Sequence, residues 1–190
     1  MLDKKYLAKV RENLLTYSEK RREVIKLSGD AQHLSKKAIF ALQRDDFSGA
    51  EDCLARAKNI ITELNKSYKK DAGLFGEGSY RAALEEYTES KLFSLFVAGK
   101  TIGAIKDFEI DSDIFIGGLS DVVGEILRYA IKSATEKKFS EVERCFAEAE
   151  AIVSEMVDMN LTGYNRQKFD QAKQALNKLE QVRYEVSLRK

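Results

Sequence analysis

Apolar side chains recur along the chain at intervals of three and four residues, which places them on one face of an α-helix. No stretch shows the alternation of apolar and polar residues that is typical of a half-buried strand. The segments differ in length and do not repeat at a fixed period, which argues against a helical solenoid. The pattern predicts seven helices, at about 2–27, 30–44, 45–66, 80–98, 114–135, 139–156 and 164–188.

Polar and glycine-containing stretches separate these segments. Ser28-Gly29-Asp30 is expected to end the first helix, with Asp30 as the N-cap of the second. Three glycines interrupt 69–79, which is the clearest loop, and Leu161-Thr162-Gly163 precedes the last helix. We therefore predict an all-α bundle that forms a single domain over 1–190.

Composition supports long helices. The 190 residues include no proline, and the 44% hydrophobic and 33% charged residues exclude a disordered chain. No apolar run approaches the roughly 20 residues that span a bilayer, and the charged N-terminus is not a secretory signal. Cys53 and Cys145 form no metal-binding spacing and are expected to be buried free thiols. The expected location is therefore the reducing cytoplasm, with no membrane partner.

The net charge of +1 conceals an uneven distribution. Residues 1–70 contain 16 Lys and Arg against 10 Asp and Glu, whereas 71–190 contain 16 against 21. The N-terminal helices could therefore present a basic face to nucleic acid. Ordinary solvated helix surface explains the same count, so charge alone does not decide between these interpretations.

Two acids on the fourth predicted helix break its amphipathic pattern. Glu86 and Glu89 lie three residues apart, and their stripe continues through Phe93 and Phe96 at spacings of four and three. Because the two phenylalanines are expected in the core, the two acids should also point inward. Glu85, one position away, is expected to be an ordinary solvated acid.

A second pair of acids lies on the fifth predicted helix. Asp121 and Glu125 are four residues apart, and their stripe includes Gly118, with Gly117 and Gly124 beside it. Glycine inside a helix costs about 1 kcal/mol relative to alanine, so three glycines require a packing or functional reason. We expect this face to leave space for something to bind against the acids.

Four inward-facing carboxylates repel one another, and burial disfavours their charged forms. A divalent cation resolves the conflict, and oxygen ligands without histidine suit Mg²⁺ or Mn²⁺ better than zinc. His33, the only histidine, forms no Glu-x-x-His pair of the di-iron type. Mg²⁺ on carboxylates suits phosphoryl chemistry. The alternative is that each pair is a surface feature balanced by Lys91 or Arg128.

Specific motifs resemble the translin family. Residues 86–90 and 118–128 are similar to helices whose family patterns read E-Y-x-E-A and G-x-x-D-x-x-G-E-L-x-R. Residues 22–30 with 35–40 resemble the family's second-helix region, and 178–189 resemble its V-E-x-V-x-Y-D-L-S-I-R ending. The resemblance extends over nearly the whole chain and is closest to the catalytic, TRAX-like branch, in which all four acidic positions are occupied.

The resemblance implies a seven-helix translin-type bundle that assembles into a hollow oligomer, here a homo-octamer or a similar closed shell. It implies a Mg²⁺-dependent endoribonuclease that binds and cleaves single-stranded RNA inside the shell, with Mn²⁺ as a substitute ion and single-stranded DNA as a further ligand. The implied metal ligands are Glu89 and Glu125. The implied catalytic residues are Glu86, Glu89, Asp121 and Glu125.

The candidate phosphate contacts are basic residues, for each of which a solvated surface role is an equal alternative: Arg21, Arg22, Lys26, Lys36, Lys37 and Arg128. The chain departs from the TRAX-like pattern at Gly29, where arginine is typical, and in its short length, which resembles compact archaeal-type members. Dependence on a translin partner is therefore open. Two other functions also stay open: a non-catalytic translin-like module that binds single-stranded RNA or DNA, and a helical scaffold for a protein partner.

Overall fold

The computed structural model describes residues 2–68 and 70–188, and every regular element in that part of the chain is an α-helix. The prediction of an all-α fold with seven helices is confirmed for these residues, although two of the seven differ from those predicted. Lys69 of the predicted loop and Arg189 of the C-terminal motif lie outside the described residues. In chain order the helices are α1 (Lys4–Leu42), α2 (Phe47–Tyr68), α3 (Ala72–Phe75), α4 (Gly78–Val97), α5 (Ser112–Thr135), α6 (Phe139–Val157) and α7 (Gly163–Ser187).

The first two predicted helices are one continuous helix. α1 runs through Gly29, and its buried face continues from Val24 to Ala31 and beyond on the other side of the glycine. The cost of one glycine, about 1 kcal/mol, is small beside the burial of this continuous face. Asp30 is therefore an exposed helical residue and not an N-cap. The remaining helix is α3, a single turn inside the predicted loop that is capped by Asp71.

The acid-bearing helices lie in the middle of the bundle. α1 packs against α2 and α4, α4 packs against α5, and α5 packs against α6 and α7. Phe93 and Phe96 are buried between these helices, as the spacing on α4 predicted. Tyr87 is also buried, and its hydroxyl donates to Asp107 at 2.8 Å. The face of α4 that carries the acids therefore borders the core.

The N-terminal part of α1, residues 4–23, extends beyond this bundle and is called the N-terminal arm below. Its side chains are exposed except for Val10, which is half-buried, and burial begins at Val24. Leu7, Leu14 and Tyr17 are among its exposed apolar residues. With Val10 they follow a spacing of three, four and three, so the arm presents an apolar stripe.

Two sequence predictions concern the membrane and the thiols. No helix among the described residues has the length and apolar character needed to cross a membrane. Both cysteines are free, Cys145 is buried, and Cys53 is half-buried. Burial raises the pKa of the Cys145 thiol, so it is the less reactive of the two.

Candidate functional site

The two glycines at the start of α5 let it cross α4 at very short range. A Cβ atom on Gly118 would lie 2.9 Å from the backbone oxygen of Glu85 and 2.9 Å from the backbone nitrogen of Glu89. A Cβ atom on Gly117 would lie 2.6 Å from a carboxylate oxygen of Glu85. The expected binding space along this face is therefore filled by α4 itself at both positions. Of the three glycines, only Gly124 has nothing within 4 Å of the corresponding position.

This crossing gathers the other three predicted acids around Glu89. Removal of its carboxyl group from water, together with the charges of Asp121, Glu86 and Glu125, raises its pKa to about 9. Glu89 therefore holds a proton at neutral pH when no cation is present. Among the described residues it has no hydrogen bond or ion pair. The acids converge as the stripes suggested, and their catalytic role stays a prediction.

Residues of α1 and α5 contact two of the other acids. Burial raises the pKa of Glu86, which lies 3.6 Å from the ammonium of Lys36. The side-chain amide of Gln43 donates to the Glu125 carboxylate at 2.8 Å and to its backbone carbonyl at 3.0 Å. Arg128 lies 3.6 Å from the same carboxylate. α1 thus forms one wall of the site, which no pattern within α1 indicated.

Lys168, on α7, enters the cluster from the opposite side. Its ammonium forms an ion pair with Asp121 and lies 2.9 Å from Glu85. The Tyr164 hydroxyl donates to the same Glu85 carboxylate at 2.6 Å. The Glu85 side chain is only 16% exposed, so the prediction that it is an ordinary solvated acid is wrong. The sequence gives one sign that Lys168 faces the bundle: it lies four residues before Ala172, which is buried on the inner face of α7.

A cavity of about 410 Å³ opens beside the cluster. Glu86, Asp121 and Lys168 line it together with Arg81, whose guanidinium is paired with Asp113 at 2.5 Å. The cavity gives solvent and a ligand access to two of the four predicted acids. A substrate group bound in this cavity would therefore lie next to Glu86 and Asp121.

The donor chemistry of the cluster fits a hard divalent cation. Carboxylate oxygens are the ligands that Mg²⁺ and Mn²⁺ prefer, and a cation beside Glu89 would offset the repulsion that raises its pKa. Within the described residues, no group of three or more His, Cys, Asp or Glu side chains is already arranged to hold a metal ion. Asp121 is directed to Lys168 and Glu125 to Gln43. Complete coordination therefore requires at least one of these side chains to rotate.

The six predicted phosphate contacts occupy different surroundings. Lys36 and Arg128 border the acidic cluster, and the Arg128 guanidinium lies 4.8 Å from the centre of the Phe40 ring. Arg21 is committed to an ion pair with Glu77, at 2.8 Å. The other three are exposed on α1: Arg22, Lys26 and Lys37. Contact of any of them with RNA stays a prediction.

The fold and the site define a class: an all-α bundle whose two central helices cross at glycines and partly bury a group of carboxylates. The chain belongs to the translin family, whose sequence profile matches residues 19–190. This confirms the family that the motifs suggested. No curated protein sequence matches the chain significantly.

Solved structures share the fold at low sequence identity. The chain is similar to apo-NeC3PO with a TM-score of 0.87 and 21% identity, covering 98% of each chain. It is similar to AfC3PO with a TM-score of 0.89 and 21% identity, covering 97% of this chain and 98% of that one. A complex of AfC3PO with duplex RNA gives a TM-score of 0.86 and 22% identity over the same shares.

Proposed function

We propose that this protein is a Mg²⁺-dependent endoribonuclease, a compact member of the TRAX-like branch of the translin family. The observation that carries the proposal is Glu89, a half-buried carboxyl group that has no hydrogen bond or ion pair among the described residues and is acted on by three further acids. Such a group is stabilised in its charged form by a bound cation. The position of the cluster at the centre of a translin-family fold supports the same function.

Glu89 and Glu125 would hold the ion, with Mn²⁺ able to replace Mg²⁺. The ion would supply positive charge to the scissile phosphate and lower the pKa of a water molecule. Glu86 and Asp121 line the cavity, where they would orient that water and accept its proton. Burial raises the pKa of both carboxyl groups, which brings them closer to the range that suits proton transfer near neutral pH.

RNA is the proposed substrate. The similar AfC3PO structure contains duplex RNA, whereas the family motifs led us to propose single-stranded RNA for this chain. Lys36 and Arg128 lie where they could contact phosphates next to the acids. The exposed cations of α1 would extend this contact, and the resulting affinity would fall with salt.

We also propose that the protein forms a closed homo-oligomer. The N-terminal arm exposes Leu7, Leu14 and Tyr17 in the single chain, and Phe40 and Phe47 add exposed apolar area. Burial of these side chains against further copies would remove apolar surface from water. A closed assembly would also enclose the cavity beside the acids.

A second function, non-catalytic binding of single-stranded RNA or DNA, is favoured by one observation. Asp121 and Glu125 already have partners in Lys168 and Gln43, and no three ligands are in place in the described part of the chain. In that case the acids are a structural cluster neutralised by the protein itself.

Labelled single-stranded and duplex RNA, incubated with the protein in Mg²⁺ or in EDTA, distinguish these functions. Metal-dependent cleavage is expected, and binding without cleavage in Mg²⁺ would favour the second function. Glu89→Gln and Glu125→Gln should each lower the cleavage rate by roughly 10² or more, because each removes a charged ligand. RNA affinity should be retained. Glu150→Gln makes the same chemical change at an exposed position of α6 and should cleave like the wild type.

A further inference from the structure

The acidic site contains a positive charge of its own. Lys168 is carried by α7, a helix that supplies none of the four acids, and its side chain is 17% exposed. Its ammonium is bound by Asp121 of α5 and by Glu85 of α4. One cation therefore connects three helices at the edge of the site.

The position of this ammonium is fixed from several sides. The Glu85 carboxylate fits against Gly117, where any Cβ atom would lie 2.6 Å from its oxygen. The Tyr164 hydroxyl holds the same carboxylate at 2.6 Å, and the Tyr164 ring lies 5.3 Å from the Lys168 nitrogen. Lys36 and Arg128, the other cations at the site, are about half exposed and lie farther from their acids. Packing and hydrogen bonds therefore fix the Lys168 ammonium in one position, whereas the charged groups of an exposed surface ion pair stay mobile.

Phosphoryl-transfer sites with two metal ions place them about 3.5–4 Å apart, with carboxylates between them. At this site the Lys168 ammonium takes Oδ2 of Asp121, so a second divalent ion on the same carboxylate would lie close to a fixed positive charge that repels it. We infer that Lys168 takes the place of a second divalent ion and positions Asp121, so that the site binds one ion per chain on the side of Glu89 and Glu125. The inference rests on the proposed metal-dependent function.

The test is the number of Mn²⁺ ions bound by the intact protein, measured by electron paramagnetic resonance of free Mn²⁺ and by calorimetry. We expect one ion per chain in the wild type and one in Lys168→Arg, which keeps the charge. Lys168→Met removes the charge with little change in length, and it should bind two. Lys178→Met, an exposed lysine on the same helix, is the matched control and should bind one.

Two ions in the wild type would overturn the role of Lys168 and leave the metal-dependent function standing. One ion in both the wild type and folded Lys168→Met would also overturn it. No bound ion in the wild type would overturn both proposals. Lys168→Met leaves two carboxylates without their cation and could fail to fold for that reason. In that case a wild-type count of two ions still overturns the inference.

Discussion

Replacement of Glu89 by glutamine should stabilise the metal-free protein, and the gain should increase with pH. The pKa of the carboxyl group is about 9 in the folded chain, whereas that of an ordinary glutamate is 4.5. Between these values the folded state binds a proton that the unfolded state has released. Wild-type stability therefore falls as the pH rises through this window. Glutamine does not titrate, so the variant avoids this loss.

The size of the effect follows from the two pKa values. A difference of one pKa unit corresponds to about 1.4 kcal/mol. At pH 8 the wild type would lose on the order of 4–5 kcal/mol, and at pH 5 only about 1 kcal/mol. The advantage of Glu89→Gln should therefore grow by up to about 4 kcal/mol between these pH values. For a chain of this length, each 1 kcal/mol is about 2–4 °C in Tm.

Thermal and urea unfolding followed by circular dichroism, in EDTA at pH 5 and pH 8, measure this difference. Glu150→Gln, the exposed control, should stay within about 0.5 kcal/mol of the wild type at both pH values. Excess Mg²⁺ at pH 8 should stabilise the wild type more than Glu89→Gln, because the ion binds the folded site. An advantage of Glu89→Gln that is the same at both pH values would refute the reasoning about buried charge.

Further predictions concern packing, assembly and RNA affinity. In urea unfolding, Gly118→Ala should lower the free energy of unfolding by about 1–3 kcal/mol, because the new Cβ atom meets backbone atoms of α4. Gly124→Ala, which has open space around it, should be neutral or raise the free energy of unfolding by up to about 1 kcal/mol. Equal effects of the two changes would contradict the tight helix crossing. Light scattering at micromolar concentration should give a mass well above that of a dimer, and Leu14→Glu in the N-terminal arm should reduce that mass. A monomeric wild type would contradict the proposed closed oligomer and its enclosed cavity. Fluorescence anisotropy should show RNA affinity that falls steeply with salt and is unchanged in Glu89→Gln, and a salt-independent affinity would exclude phosphate contacts as its source.

The central helices could be predicted from the sequence because their signals are local. The spacing from Glu86 to Phe96 identified the inner face of α4, and the spacing of Asp121 and Glu125 identified that of α5. Two helices that are close in the chain and both turn these faces inward can pack against each other, as α4 and α5 do. The short crossing at Gly118 then places the acids together.

The partners of the acids could not be predicted in the same way. Gln43 and Lys168 are distant in sequence from the acids they contact, and only the packing of α1 and α7 against the central helices brings them there. The exposure of Glu85 was predicted wrongly because Lys168 and Tyr164 of α7 cover it, and the sequence of α4 gives no sign of that contact. Gly29 was misjudged because the buried face of α1 continues across it, so tertiary packing outweighs the local helix propensity.

The N-terminal arm links helix formation to protein concentration. α1 has 39 residues, so at about 1.5 Å per residue it is close to 58 Å long, and roughly half of that length lies outside the bundle. A helical segment of about 20 residues without tertiary contacts is only marginally stable in water. Within the described residues, polar links between the arm and the body lie at its C-terminal end: the Arg21–Glu77 ion pair and a hydrogen bond from the Tyr68 hydroxyl to Glu23. Amide hydrogens of the arm should therefore exchange rapidly in dilute, dissociated protein and slowly at concentrations where neighbouring chains cover its apolar stripe, while the buried half of α1 stays protected at both.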